Sequence, residues 1–536
     1  MREYMRRGKL GRLFLGVVML TGLWAAPSAL ADEPPRYGGI LRVALAGDPP
    51  SLDMHQEGTF KVKIPLSPCY NTLIVYDPHG YPNIIGDLAK SWTISDDGLT
   101  YTFKLHQGVK FHDGSEMTSA DVKASWEHFV FPSQGVVSPR RSLYQAIKRI
   151  SAPDRDTVVF HLKYPSASFL SMVAYPHAFI YAKKYLDQDP HWYKQHVMGT
   201  GPFKLKKYVR GSYLEVERNP DYFKKGLPYM DGIKYFMIKD LSARAKSVRS
   251  GRTDTELRGL PPAEVEALKK QMGDKIVIRY PKAMIHWGVA FNVDEKPFND
   301  VRVRKAMSLA IDRYEMAKIL GPLSGLETVG GLMHPDSQWA LTPEELQALP
   351  GFGTDHEANV KEAKRLLAAA GYPNGFQTVL SNRAVKLPYI DFGVYLISSW
   401  KKIGVEAKHQ LEESATWYKS LRTRNFKVMV NPFGSSGGGD PDQMMVRYLT
   451  GASPNWSRIS DPEFDKLFEQ QKVERDEQKR IALVQEMQKV IMRQVWWMPV
   501  MWWTRIEVRS AHIRNYEPHH SHHMNRRFED VWLAAK

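Results

Sequence analysis

Cysteine is almost missing from this chain: Cys69 stands alone in 536 residues, so no internal disulfide can form. Stability must come from a packed core, and a chain of this length can bury a large one. Long hydrophobic runs are missing too. The apolar stretch Leu13 to Trp24 covers twelve residues, whereas a membrane span needs about 20. There is no P-loop and no HExxH helix, and no nucleophile, base and orienter fall at recognisable spacing, so catalysis has no candidate constellation and the chain reads as a non-enzyme. Lys and Arg are scattered among acids and form no stripe with interleaved aromatics, which argues against a nucleic-acid partner.

What is present begins with an address. Arg2, Arg6, Arg7, Lys9 and Arg12 form a basic head before the apolar run, and Ala29-Leu30-Ala31 offers small residues for cleavage. Residues 1–31 therefore read as a secretory signal peptide. Arg6-Arg7 raises a twin-arginine route, which the following Gly8-Lys9-Leu10 does not support. No cysteine lies near the cleavage positions, so a lipid anchor there is excluded and a soluble periplasmic protein is expected. The leader carries five basic residues and one acidic, +4 of the formal +16, leaving +12 on the rest. A basic surface of this kind suits anionic solutes or an anionic membrane face, or is ordinary solvated charge.

Past the leader, residues 38–47, GGILRVALAG, read as a buried strand closed by Gly47 and Pro49-Pro50. After the Asp96-Asp97-Gly98 turn, Tyr101, Phe103 and Leu105 alternate with polar residues as in a half-buried hairpin strand. Thr118 and Asp121 fit a helix capping box, and the His112-Asp113 pair before them is explained by turn and cap chemistry. Residues 288–313, GVAFNVDEKPFNDVRVRKAMSLAIDR, join a strand, a turn at Pro297 and Asn299, and a helix capped by Asp300. Val303, Ala306, Met307, Ala310 and Tyr314 are expected on its buried face, with Arg302, Arg304 and Lys305 on the other. A helix is expected over 360–370 with Gly371 behind it, and Asp461-Pro462 starts a long one.

The 288–313 segment resembles the "FN…P…D.RVR.A…AID" segment of the family 5 extracellular solute-binding proteins, the dipeptide and oligopeptide receptors of bacterial ABC importers. The resemblance continues in GTGPF (199–203), RNPDYF (218–223) and DPEFDKL (461–467), among others, with the spacing kept from about residue 38 to 533. It implies an α/β, two-lobe periplasmic binding protein fold of the large, cluster C type with an extra small domain. Lobe I would take 36–76, 203–283 and 510–536, the small domain 77–202, and lobe II 284–509. It also implies capture of a peptide or peptide-like solute, opines included, by a monomer that delivers it to an inner-membrane ABC permease. No cofactor is implied.

Loop 431–442, NPFGSSGGGDPD, and Asn455-Trp456-Ser457 are the expected ligand contacts. Glycine there lets backbone N–H groups approach a ligand. The candidates are Phe433, Gly434, Ser435, Ser436, Gly437, Asp440, Asn455 and Trp456, with Trp287 as an aromatic wall. The resemblance carries one departure. In dipeptide-binding members an aspartate three residues before the first aspartate of Gly-Asp-Pro-Asp pairs with the peptide ammonium, and counted back from Asp440 that position is Gly437. A ligand not held chiefly by a free N-terminus follows: a blocked peptide, an opine-like conjugate, an anion or a sugar-like solute. The cluster His519-His520-Ser521-His522-His523 has metal-binding side chains but no ordered second ligand set, so no metal site is assigned. The run Trp496 to Trp503 reads as buried strand. Two other classes compete: a secreted metal-dependent hydrolase using the terminal histidines, and a periplasmic chaperone with an open aromatic cleft.

Overall fold

The computed structural model describes residues 33–281, 285–434, 440–474, 476–519, 521 and 523–535, with backbone only at 433 and 434. The expected signal peptide lies outside them. Two seven-stranded sheets and one four-stranded sheet organise the chain.

The first sheet grows around Ile40–Leu45, the strand read from the apolar run 38–47. It pairs in parallel with Gly232–Met237 on one side and Thr255–Glu256 on the other. Tyr213–Arg218 and Phe203–Val209 extend one flank by antiparallel pairing. On the other flank the late strand Glu507–Ser510 lies between Thr255–Glu256 and Ile276–Arg279. Helices Leu241–Arg249 and Pro262–Met272 cover that side, burying Ala245, Val248, Val265 and Leu268 against Ile506 and Val508.

In the second sheet, Ile285–Phe291 and Trp497–Trp503 are buried at every position. Helices on both faces explain why these strands read as unbroken apolar runs. Trp400 and Phe392 of Asp391–Lys401 pack on one face. Trp417 of Ser414–Thr423 and Met487 of Glu477–Gln494 pack on the other.

The small sheet is antiparallel, in the order Ala89–Ile94, Thr100–Leu105, Thr157–Leu162, Ile147–Asp154. Tyr101, Phe103 and Leu105 face inward, and Trp126 and Phe129 of helix Ser119–Val130 cover them. The Thr118 N–H donates to the Asp121 carboxylate at 2.9 Å, as the capping box requires. His112 and Asp113 are structural: the His112 ring contacts the Gly201 carbonyl at 3.1 Å, and Asp113 accepts from Ser115, Tyr185 and Lys184.

Four local expectations change. The helix capped by Asp300 is Val301–Leu309, and Asp312 caps a second one, Arg313–Ser324, so Tyr314 belongs to the next helix. Arg304 is buried rather than solvent-facing, because its guanidinium donates to the Phe298 and Gln494 carbonyls and so closes two chain ends. The expected 360–370 helix starts earlier, at His356 behind an Asp355 cap, and ends at Ala369. The helix begun by Asp461-Pro462 stops at Gln471, and the long one, Glu477–Gln494, follows it.

Candidate functional site

Between the first and second sheets lies a cavity open to solvent, enclosing about 870 Å³ of space with its mouth included. Its walls are built by chain ends and helix starts, where backbone direction changes and side chains can turn inward. Thr59, the N-cap of helix Phe60–Leu66, comes from the first-sheet side. Opposite it, Arg383 ends strand Phe376–Arg383 and is 2% exposed. Its Nε donates to the Ser414 hydroxyl at 2.8 Å, and its Nη2 reaches the Thr59 hydroxyl at 3.3 Å. Lys61 Nζ donates to the same Ser414 hydroxyl at 3.3 Å. Two hydrogen bonds thus cross the cavity mouth from one sheet layer to the other.

Aromatic rings supply most of the remaining wall. Trp287 is held edge-on to Tyr389, centroids 4.5 Å apart. Tyr418 stands half-buried on helix Ser414–Thr423, and the Arg447 guanidinium lies 5.2 Å from the Trp456 ring. A second cavity of about 640 Å³ continues past Arg140, Tyr418, Arg447 and Trp456 toward the small sheet's domain. There Ser453 N–H donates to the Ser142 hydroxyl at 3.0 Å. Such a wall can hold the body of a small organic solute and fix its polar groups at a few points.

The electrostatics are one-sided. Arg140, Arg258, Arg383 and Arg447 line the larger cavity, and among the described residues no aspartate or glutamate lines either cavity. Arg258 is 6% exposed and sandwiched between Phe60 and Trp503, 4.7 and 4.5 Å from their centroids, while its Nε and Nη1 have no hydrogen-bond partner among the described residues. Burial pulls the Arg258 and Arg447 pKa values down to about 10. Behind the wall, burial and then Arg383 pull Lys61 down to about 8.

The expected contacts divide. Trp287 and Trp456 line the cavity, as does Pro432 beside them. Phe433 and Gly434 continue as a short strand opposite His286 and Ile285. Ser435, Ser436 and Gly437 lie outside the described residues. Gly434 to Gly438 also spell the bare letters Gly-x-Ser-x-Gly, a pattern that carries a nucleophile only in a strand–elbow–helix setting. Asp440 does not line the cavity. Both its oxygens accept from Arg480, each at 3.0 Å, and it also accepts the Asp442 N–H. Asn455 is buried in its own loop, donating to the Leu449 and Ile459 carbonyls and accepting the Ile459 N–H. Of the terminal histidines, His523 reaches the cavity and His519 packs edge-on to Tyr81, while His520 and His522 lie outside the described residues. Among the described residues no group of three His, Cys, Asp or Glu is placed to hold a metal.

Sequence reading missed Thr59, Arg140, Arg258, Arg383 and Tyr418. They come from separate segments, and no local pattern marks any of them.

Comparison with known proteins gives the same architecture. The model for bacterial extracellular solute-binding proteins, family 5 middle region, matches residues 83–456. A probable di/tripeptide-binding protein 5 of Pseudomonas aeruginosa is 26% identical over 92% of this chain and 96% of its own length. The structure of the ABC transporter-associated periplasmic binding protein DppA of Helicobacter pylori, with peptide STSA, superposes with a TM-score of 0.83 at 26% identity, covering 93% of this chain and 98% of that one. The binding protein AgaA of A. tumefaciens R10, with agropinic acid, superposes at 0.81 and 26% identity over 93% and 99%. An aromatic cavity between two α/β layers, in a chain matched over most of its length by that family's model, has one reading: this is a two-lobe binding protein belonging to family 5 of the bacterial extracellular solute-binding proteins.

Proposed function

We propose that the chain is the periplasmic receptor of an ABC importer, capturing a peptide-like or opine-like solute between its lobes and handing it unchanged to an inner-membrane permease. The observation that carries this reading is the cavity bridged by Thr59 and Arg383, since contacts made across two lobes stabilise the closed form. Relatives that bind di- and tripeptides and a structural neighbour holding agropinic acid support the solute class. The basic head and twelve-residue apolar run support export with a cleaved signal, and no helix among the described residues is long and apolar enough to cross a membrane.

Within this reading, lobe I takes 36–76, 203–283 and the C-terminal tail, the small domain 77–202, and lobe II the segment from 284 onward. The pairing of Glu507–Ser510 in the first sheet supports starting the tail a strand earlier than residue 510. Phe433 to Gly437, Trp287 and Trp456 are proposed to contact the solute from lobe II.

Native mass spectrometry of protein purified from its own periplasm identifies the retained solute, and small-angle scattering with that solute should give a smaller radius of gyration. An unchanged profile at saturation, or turnover of the solute beyond one equivalent, would overturn the receptor reading.

A further inference from the structure

The arginines of the cavity pose a question that the fold does not answer. A buried guanidinium with unmade hydrogen bonds costs free energy, so a site that keeps several of them is prepared for charge that arrives with the ligand. Arg258 is such a group, nine-tenths buried, lining the cavity and with Nε and Nη1 unsatisfied among the described residues. The guanidinium of Arg140, which lines both cavities, makes no hydrogen bond or ion pair among the described residues. Among the described residues the Arg383 guanidinium donates to hydroxyls alone: Thr59, Tyr389 and Ser414. The carboxylates whose charge reaches this wall are engaged elsewhere. Glu256 accepts from Arg244 and the Gly259 N–H, Glu57 from Ser51 and Gln56, and Glu413 from the Ala415 N–H. Asp440, the nearest substitute in sequence for an ammonium anchor, is occupied by Arg480. The segment 435–439, SSGGG, contains no acid.

We infer that the cavity takes a compact solute bearing two or more oxyanion groups and no free ammonium, with Arg258 and Arg383 holding one anionic group and Arg140 and Arg447 another. This deepens the receptor reading and rests on it. The aromatic faces of Trp287, Tyr418 and Trp456 would cover the organic body between the two charged ends. Planar guanidinium groups suit carboxylate and phosphate oxygens alike, because each offers paired N–H donors.

Calorimetry tests it with five probes: citrate, N-acetyl-Asp-Glu, pyrophosphate, zwitterionic Ala-Ala and neutral N-acetyl-Ala-Ala amide. At least one of the three polyanions should bind on the order of 100-fold more tightly than either of the last two, and the carboxylate and phosphate arms separate the two sources of oxyanion. Arg140→Met and Arg258→Met should each weaken the bound polyanion by about 30-fold or more. Arg258→Met should also leave the melting temperature of the unliganded protein unchanged or raised, since it removes an unsatisfied buried charge. Absence of polyanion binding, tighter binding of Ala-Ala, or polyanion affinity indifferent to both substitutions would overturn the inference. Scattering on the same samples keeps the two readings apart: compaction by Ala-Ala without polyanion binding leaves the receptor standing and removes the polyanion, whereas compaction by neither these probes nor the retained solute removes the receptor.

Discussion

Arg383 and Thr59 meet across the cavity at 3.3 Å, the guanidinium coming from the second sheet and the hydroxyl from the first helix. This contact exists only when the two layers are close. Thr59→Val should therefore bias the protein toward the open form by the net worth of one hydrogen bond, about 1 kcal/mol. Solute affinity should fall by about fivefold through the smaller closed population. Scattering of the unliganded variant should give a larger radius of gyration than the parent, and an unaltered radius with unaltered affinity would show that the contact does not hold the lobes together.

A second pair bears on stability rather than binding. Arg480 clamps Asp440 through two bonds and also reaches Asp442 at 3.3 Å. Removing the guanidinium strands the Asp440 carboxylate, whereas Asp442 keeps Ser168 and Gln471 as donors, so Arg480→Met should destabilise the protein by about 3–5 kcal/mol. Urea unfolding measures this. Asp440→Asn should lower stability while leaving the affinity for the retained solute within about twofold, since Asp440 points away from the cavity.

Acid should act through histidines kept neutral inside. Burial holds His112 down at about 4, below the ordinary 6.5, with its ring against the Gly201 carbonyl. The unfolded chain takes up the proton first, so this contribution is complete above pH 6.5 and is lost as pH falls from 6.5 through 4, amounting to ~3 kcal/mol. His55 and His177 are shifted in the same direction by burial. In chemical denaturation at pH 7 and pH 4, His112→Asn should lose less stability on acidification than the parent. Parallel pH profiles would assign the acid sensitivity to the other histidines.

The GTGPF motif has a steric reason. A Cβ on Gly201 would collide with the backbone of Pro68, Cys69 and Tyr70, and none of those atoms can move aside cheaply. Gly201→Ala should cost about 1–3 kcal/mol, read from the melting temperature. Gly211→Ala is a spatial contrast, since a Cβ there meets nothing within 4 Å; its positive φ of 77° still costs about 1 kcal/mol.

Local chemistry was legible in the chain wherever neighbours in sequence are neighbours in space. The strand at Ile40–Leu45, the capping box of Thr118 and Asp121, the Asp300 cap and the buried tryptophan strand all follow from period and cap rules. Arg304 misled because helical periodicity does not reveal a second covering element: the chain turn after Glu477–Gln494 closes over that face and offers the Gln494 carbonyl. The cavity was legible only in part. Trp287 and Trp456 announced themselves as large rings near the glycine loop, but Arg258, Arg383 and Arg140 converge from positions more than a hundred residues apart, a relation no spacing encodes.

The place of Glu507–Ser510 in the first sheet reaches beyond the folded state. This strand fills the gap between Thr255–Glu256 and Ile276–Arg279, so a chain lacking its final segment carries two raw sheet edges. A polypeptide threaded N-terminus first through a membrane pore cannot zip this sheet until almost its whole length has emerged. Under the export proposed above, translocation and folding would thereby be separated in time: the first sheet would stay incomplete, and the cavity beside it unformed, until the last strand arrived on the far side.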